Sequence, residues 1–183
     1  MERKEFLFGS VSMAAILTLS KTGFAQSGVR DPFVVRAGKG RFGESFLYKG
    51  KNPNDIKISG KDTNGQLAMF EYIGYDKTGP SLHVHFDQDE IFYVAEGNYK
   101  FSVGGKLMEL TAGDTIFLPR NIPHTWIQKT DFGKLIYFVQ PAGKTEDFFR
   151  AMNNLDHKPS KAEIDKIHAA CGMKVIGPGL TID

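Results

Sequence analysis

Cysteine is nearly absent: the 183-residue chain carries one, Cys171. A single thiol makes no intramolecular disulfide framework and no multi-cysteine zinc or iron–sulfur site. Charge of one sign is lacking as well. Twenty-three basic residues against 21 acidic ones leave a formal net charge of +2, without the concentrated basic excess of a nucleic-acid protein. No apolar run suits a membrane span either. The N-terminal run covers residues 6–19, only fourteen positions, whereas a spanning helix needs about 17–25. Aromatic residues, by contrast, are plentiful: 15 Phe and 6 Tyr supply ample material for burial and exclude a disordered chain. The length suits one domain with its own core. With thiol chemistry removed, the five histidines are the first place to look for function.

The N-terminus has the grammar of an export signal. Arg3 and Lys4 precede the apolar run, and Gly23-Phe24-Ala25 offers small residues at a cleavage point. Arg3-Lys4-Glu5-Phe6-Leu7 also resembles a twin-arginine signal with Lys in place of the second Arg. The expectation is a segment 1–25 removed on export by the general secretory or the twin-arginine route. The mature protein would then be periplasmic or secreted, with no stable membrane span.

From about residue 33 to 142 the chain reads as short strands separated by turn chemistry. Residues 66–75 are rich in β-favouring side chains and are closed by Gly79-Pro80. Further strands are expected at 82–86, 90–95, 99–103, 106–110, 115–118, 124–128 and 134–140. Gly104-Gly105 has the look of a two-residue hairpin loop. So many short strands at close spacing predict an antiparallel sandwich or barrel rather than a βαβ fold. Beyond residue 143 the pattern changes. Thr145 is an N-cap candidate ahead of Glu146 and Asp147, and Ser160-Lys-Ala-Glu163 is a capping-box pattern. It leads into an apolar stripe of Ile164, Ile167, His168 and Cys171, stopped by Gly172. A short strand at 174–176 follows. The expected organisation is a β-barrel domain over 26–143 and a C-terminal extension over 144–183, with two short helices packing on the barrel.

Three histidines and one glutamate fall in an arrangement that can carry chemistry. In Leu82-His83-Val84-His85 the two imidazoles lie two residues apart, so a strand puts both on one face. Glu90 opens the next strand and shares a face with Phe92 and Val94. His124 opens another, with Trp126 and Gln128 on its face. Converging inside a barrel, His83, His85, Glu90 and His124 would form an N3O donor set. Such a set binds one divalent transition metal and leaves open positions for water, substrate or dioxygen. Fe, Mn, Ni, Co, Cu and Zn all suit these donors. The other two histidines, His157 in a Pro-containing connector and His168 on the helical stripe, read as surface and packing. Arg120 and Lys129 read as ordinary loop charge.

The stretch Gly-Pro-Ser-Leu-His-Val-His-Phe-Asp-Gln-Asp-Glu-Ile-Phe-Tyr-Val-Ala-Glu-Gly at 79–97 resembles the first motif of the cupin superfamily. Residues 113–124, Gly-Asp-Thr-Ile-Phe-Leu-Pro-Arg-Asn-Ile-Pro-His, together with Gln128, resemble the second. There are departures. Only three residues separate Gly79 from His83, Asn121 stands for a glycine, and Gln128 stands for an asparagine. Asn tolerates positive φ, so the turn before His124 can survive. The resemblance implies an all-β, double-stranded β-helix (a cupin or jelly-roll barrel), with the four residues above as metal ligands.

Within that superfamily the chain looks most like small single-barrel proteins described as quercetin-dioxygenase-like, over roughly residues 70–180. What this implies is a dioxygenase that uses dioxygen on a flavonol, with ring cleavage and loss of carbon monoxide, or on another aromatic enol or diol. Glu90 would serve both as ligand and as the base taking the substrate's proton. Phe92, Val94, Trp126 and Tyr72 would wall the substrate pocket, joined by Phe70, Phe101, Phe117 or Phe138. Two alternatives stay open. One is a non-catalytic, metal-containing cupin that binds a small molecule or sugar at the cell envelope. The other is an isomerase or decarboxylase acting on a small acid, for which no inward Arg or Lys is evident. The expected partner is a small, aromatic molecule, with no nucleic acid, and open sheet edges invite a homodimer.

Overall fold

Alternating side chains settle where each strand lies. In the computed structural model, which describes residues 31–182, β3 (Ala68–Gly74) buries every second residue. The export signal expected at 1–25 lies outside the described residues. A short 3-10 turn at Arg41–Gly43 precedes β1 (Leu47–Tyr48) and β2 (Asn52–Ile58). After β3 come β4 (Leu82–His85), β5 (Asp89–Glu96), β6 (Asn98–Val103), β7 (Lys106–Thr111), β8 (Thr115–Leu118), β9 (His124–Gln128) and β10 (Gly133–Gln140). Helices α1 (Thr145–Asn153) and α2 (Lys161–Ala170) then lead to β11 (Met173–Gly177).

Two antiparallel sheets face each other. Their orders are β1-β2-β3-β10-β5-β8 and β11-β4-β9-β6-β7. The fold is the expected all-β double-stranded β-helix. The inward rows form one core in which Phe70, Tyr72, Val94, Tyr99, Phe101, Leu135 and Val139 are essentially sealed. Phe70, Tyr137 and Phe92 stack in sequence, at 4.9 Å between centroids for each contact. The hairpin at Gly104-Gly105 forms as expected, both residues at positive φ (56° and 80°), joining Val103 to Lys106.

β2 is the strand that the composition hides. Asn-Pro-Asn-Asp-Ile-Lys-Ile begins with residues depleted in sheets, yet Asn52, Asn54 and Asp55 are all buried. Each has a dedicated partner. The Asn52 amide donates to Asp76 Oδ1 (2.9 Å) and its Oδ1 accepts from the Tyr75 N–H (2.8 Å). Asn54 Oδ1 accepts from the Tyr137 hydroxyl (2.9 Å), and Asp55 from Ser45 (2.6 Å). These long-range bonds override local propensity.

The C-terminal tail does more than add helices. β11 pairs with β4, setting Met173 against His85 and Val175 against His83, so the tail also supplies a barrel strand. The capping box of α2 forms: Ser160 Oγ accepts from the Glu163 N–H, and the Glu163 carboxylate accepts from the Ser160 N–H (2.9 Å). Thr145 is not the cap of α1. Lys144 occupies that position, and the buried Thr145 hydroxyl instead accepts a hydrogen bond from Gln88 (2.9 Å). No helix among the described residues is long and apolar enough to cross a membrane.

Phe70 lies between Tyr137 and Phe149, 5.4 Å from the latter. Replacing it (Phe70→Ala) leaves a cavity at the point where barrel and α1 meet. Unfolding free energy should fall by about 3–5 kcal/mol, read by urea denaturation. A loss below about 1 kcal/mol would show that this stack is not the core's anchor.

Candidate metal centre

Strand geometry alone brings two of the four donors together. His83 and His85 project from one face of β4, and antiparallel register places His83 directly opposite His124 on β9. Glu90 reaches the same point from β5 in the other sheet. One candidate ligand atom from each of His83, His85, Glu90 and His124 lies within 4.8 Å of the others. His85, Glu90 and His124 are buried, and His83 is half-buried.

Each imidazole is tethered by its outer nitrogen. His83 Nδ1 meets the Ser81 carbonyl (2.8 Å) and His124 Nδ1 meets the Ile122 carbonyl (3.0 Å). His85 Nδ1 faces Gln88 Oε1 at 3.4 Å. A carbonyl oxygen only accepts, so each Nδ1 carries a proton, and Nε2 is the nitrogen left to face a metal. His124 Nε2 is fully enclosed without a hydrogen bond, although Glu90 Oε2 is 3.0 Å away. His85 Nε2 is 3.8 Å from the same oxygen. Lone pairs converging on a carboxylate in an enclosed space lack only a cation, and the donor set fits a divalent transition metal.

The electrostatics agree. Burial, reinforced by His124 and His85, drives His83 down to about 3, so it stays neutral. Burial would raise Glu90, but the imidazoles of His85, His124 and His83 outweigh it and hold the carboxyl at about 2. For His124, burial is likewise outweighed, and the neighbouring carboxylate raises its pKa.

Loops lock the ligand strands together. Asn121 adopts positive φ (64°), as the departure from glycine required, and its N–H donates to the His85 carbonyl (2.7 Å). Arg120 is more than ordinary loop charge. Its guanidinium grips Asp89 through Nη2 (2.7 Å) and Nε (3.1 Å), tying the approach to His124 to the residue beside Glu90. Gln88, unmarked in the sequence, is 2% exposed and donates to the Ala142 carbonyl (3.0 Å) and to Thr145. It thus links His85 to the start of α1. A Cβ on Gly143 would stand 2.1 Å from Gln88 Nε2, so a side chain there has no room.

His83, His85 and Glu90 open on a cavity of about 880 Å³. Tyr72, Phe92 and Trp126 line it, together with Tyr48 and Tyr137, and α1 and α2 contribute Phe148, Phe149, Met152 and Ile164. Val94 does not line it. Two residues beyond Phe92 on β5, it sits opposite Leu135 and is sealed in the core. Phe117 is 57% exposed, and Phe138 lies on the outward face of β10, because Leu118 and Tyr137 take the inward places. Phe70 and Phe101 are core rather than wall. Basic side chains reach the cavity as well. Lys49 and Lys158 both line the cavity, although Lys49 Nζ is bound to Thr78 Oγ1 (2.9 Å) and the Gly79 carbonyl (2.7 Å). His157 and His168 line it too.

Comparison with known proteins follows the same lines. Residues 72–139 match the cupin domain model. Over 123 residues, 67% of this chain, the sequence is 27% identical to quercetin 2,3-dioxygenase of Bacillus subtilis. That match spans about a third (35%) of the enzyme's own length. Among solved structures, an RmlC-like cupin from Shewanella frigidimarina aligns with TM-score 0.53 at 24% identity, covering 64% of this chain and 96% of that one. KdgF from Halomonas sp. aligns with TM-score 0.53 at 16% identity, covering 61% and 94%. At these identities the two structures speak for the fold.

Two outcomes follow from this geometry. Gln88→Leu removes the group that orients His85 and should weaken metal binding about 10–100-fold, measured by competition with a chromogenic chelator; unchanged affinity would deny Gln88 that role. The second concerns the metal-free protein. His83 contributes stability that is complete above pH 6.5 and is lost as pH falls toward 3. Glu90's share is complete above about 4.5 and is lost toward 2. His124 acts in the opposite sense, stabilising at low pH and losing that share as pH rises through its folded value. The melting temperature should therefore fall on acidification from pH 6.5 to 3, with a shallower slope in His83→Asn. A flat profile in the parent protein would contradict the assignment.

Proposed function

The chain is a cupin-superfamily protein, and from that premise we propose that it is a metal-dependent dioxygenase of flavonols or related aromatic enols and diols. The observation that carries the reading is the meeting of a four-donor centre with an aromatic-walled cavity. The likeness to quercetin 2,3-dioxygenase supports it.

His83, His85, His124 and Glu90 would hold the metal through three imidazole Nε2 atoms and one carboxylate. When bound, such a metal supplies a Lewis-acid anchor for the substrate oxygen and a route for electron density toward dioxygen. The chain's own residues do the rest. Glu90, kept ionised by its imidazole neighbours, is in the form required both of a ligand and of an acceptor for the substrate hydroxyl's proton. Phe92, Tyr137 and Trp126 line the cavity and give a flat apolar ligand an aromatic wall. Phe148, Phe149 and Met152 of α1 add apolar surface that displaces water from the cavity. With a flavonol, dioxygen is the oxidant, both its atoms enter the cleaved product, and one ring carbon leaves as carbon monoxide.

The test is metal content followed by oxygen uptake. Protein spanning 26–183 should carry close to one metal ion per chain and consume oxygen with quercetin. His83→Ala and His85→Ala should each lose the metal and the activity together. Bound metal without turnover on any aromatic enol or diol would sink the dioxygenase reading in favour of a binding module. Full activity in both variants would sink the site.

A further inference from the structure

His168 combines three properties that packing alone does not require. It lies on α2, 9% exposed, and lines the same cavity as His83, His85 and Glu90. Its ring meets Phe148 edge-on at 4.7 Å, which fixes its plane. Its Nδ1 is 2.7 Å from the Ile164 carbonyl one turn back along the helix. That carbonyl can only accept, so the proton is on Nδ1 and the lone pair is on Nε2. Nε2 takes no hydrogen-bond partner and is not among the fully enclosed polar atoms, and the residue that carries it lines the cavity. Burial lowers the pKa and outweighs the Ile164 carbonyl and Asp165, which keeps the ring neutral, and His85 is within electrostatic reach.

We infer that His168 Nε2 is the hydrogen-bond acceptor for a hydroxyl group on a ring ligand held between α2 and the His83–His85–Glu90–His124 cluster. The inference rests on the cavity being the ligand site, as proposed above, and narrows the ligand class. A neutral imidazole with its proton committed elsewhere can accept but not donate there. It therefore selects phenolic or enolic hydroxyls over ether or carbonyl oxygens at that position. An otherwise apolar wall of Phe148, Phe149 and Ile164 around it makes the selection sharper, because an unmatched oxygen there has nothing to bond to. His168 is a specificity-determining residue in this scheme, reaching the ligand from α2 while the donor cluster reaches it from the barrel strands.

The experiment uses full-length protein loaded with zinc, which is redox-inert, and two probes that share the 3-hydroxyl and differ only at the far ring, 3,4'-dihydroxyflavone and 3-hydroxy-4'-methoxyflavone. Trp126, the chain's single tryptophan, lines the cavity and reports binding by fluorescence quenching. The parent protein should prefer the dihydroxy probe. His168→Phe keeps a ring against Phe148 but removes the acceptor, and should reduce that preference about 5- to 10-fold. His168→Gln returns an acceptor near the Nε2 position and should restore most of it. Bound zinc and melting midpoint should be the same in all three proteins, which separates recognition from a merely structural role. An unchanged preference in His168→Phe, no preference in the parent, or no quenching by either probe would overturn the inference. Oxygen uptake with quercetin is read separately. Inactive parent protein with a His168-dependent preference would defeat the dioxygenase reading and leave the acceptor standing. Active protein with an unchanged preference would do the reverse.

Discussion

The tethering of three Nδ1 atoms to oxygen acceptors is the constraint on which the centre depends. Carbonyls of Ser81 and Ile122, with the amide oxygen of Gln88, decide which nitrogen of each ring faces inward. Two of these tethers are local, two residues back along the chain, so the strand that presents each imidazole also fixes its tautomer. Glu90 then arrives from the opposite sheet as the one carboxylate among three imidazoles. Burial of a carboxylate in such a place is costly unless positive charge or aimed dipoles accompany it. The barrel thus holds the donors ready and leaves the charge compensation to whatever binds between them.

The site's second dependence is on the helical extension. Gln88 bridges His85 to Ala142 and Thr145, and Gly143 has no side chain because that bridge occupies the space. The start of α1 is therefore in register with the centre. Phe149 packs against Phe46 and Phe70, and Phe148 against His168. One helix thus closes the core on one side and shapes the ligand space on the other. A barrel without this extension would present the same four donors to open water.

Much of this was legible in the residues, and the exceptions have physical causes. Strands from β3 to β10 announced themselves by period-two alternation and turn residues, and the four donors by their spacing on three such strands. β2 did not, because its buried polar side chains are satisfied by Tyr137, Tyr75, Asp76 and Ser45, all outside the strand. Val94 was misplaced because face alternation gives the side of a strand but not how far along it a cavity reaches. Phe117 and Phe138 were assigned inward on aromatic character, while their positions on the pleat turn them outward. Arg120, Gln88 and His168 carry no local pattern. Their roles come from tertiary neighbours, and His168 sits on the very stripe that reads as ordinary packing.

The pairing of β11 with the ligand-bearing β4 has a consequence for the order of assembly. Residues 83–124 contain all four donors, but the strand that flanks His83 and His85 is made about fifty residues after His124. During synthesis, β4 therefore waits as a bare sheet edge while the rest of the barrel is already available to fold. An edge of that kind is open to pairing with the wrong neighbour. The chain thus completes its donor strand last, by a contact of long sequence separation, and a metal ion that enters early would meet a half-formed nest of ligands.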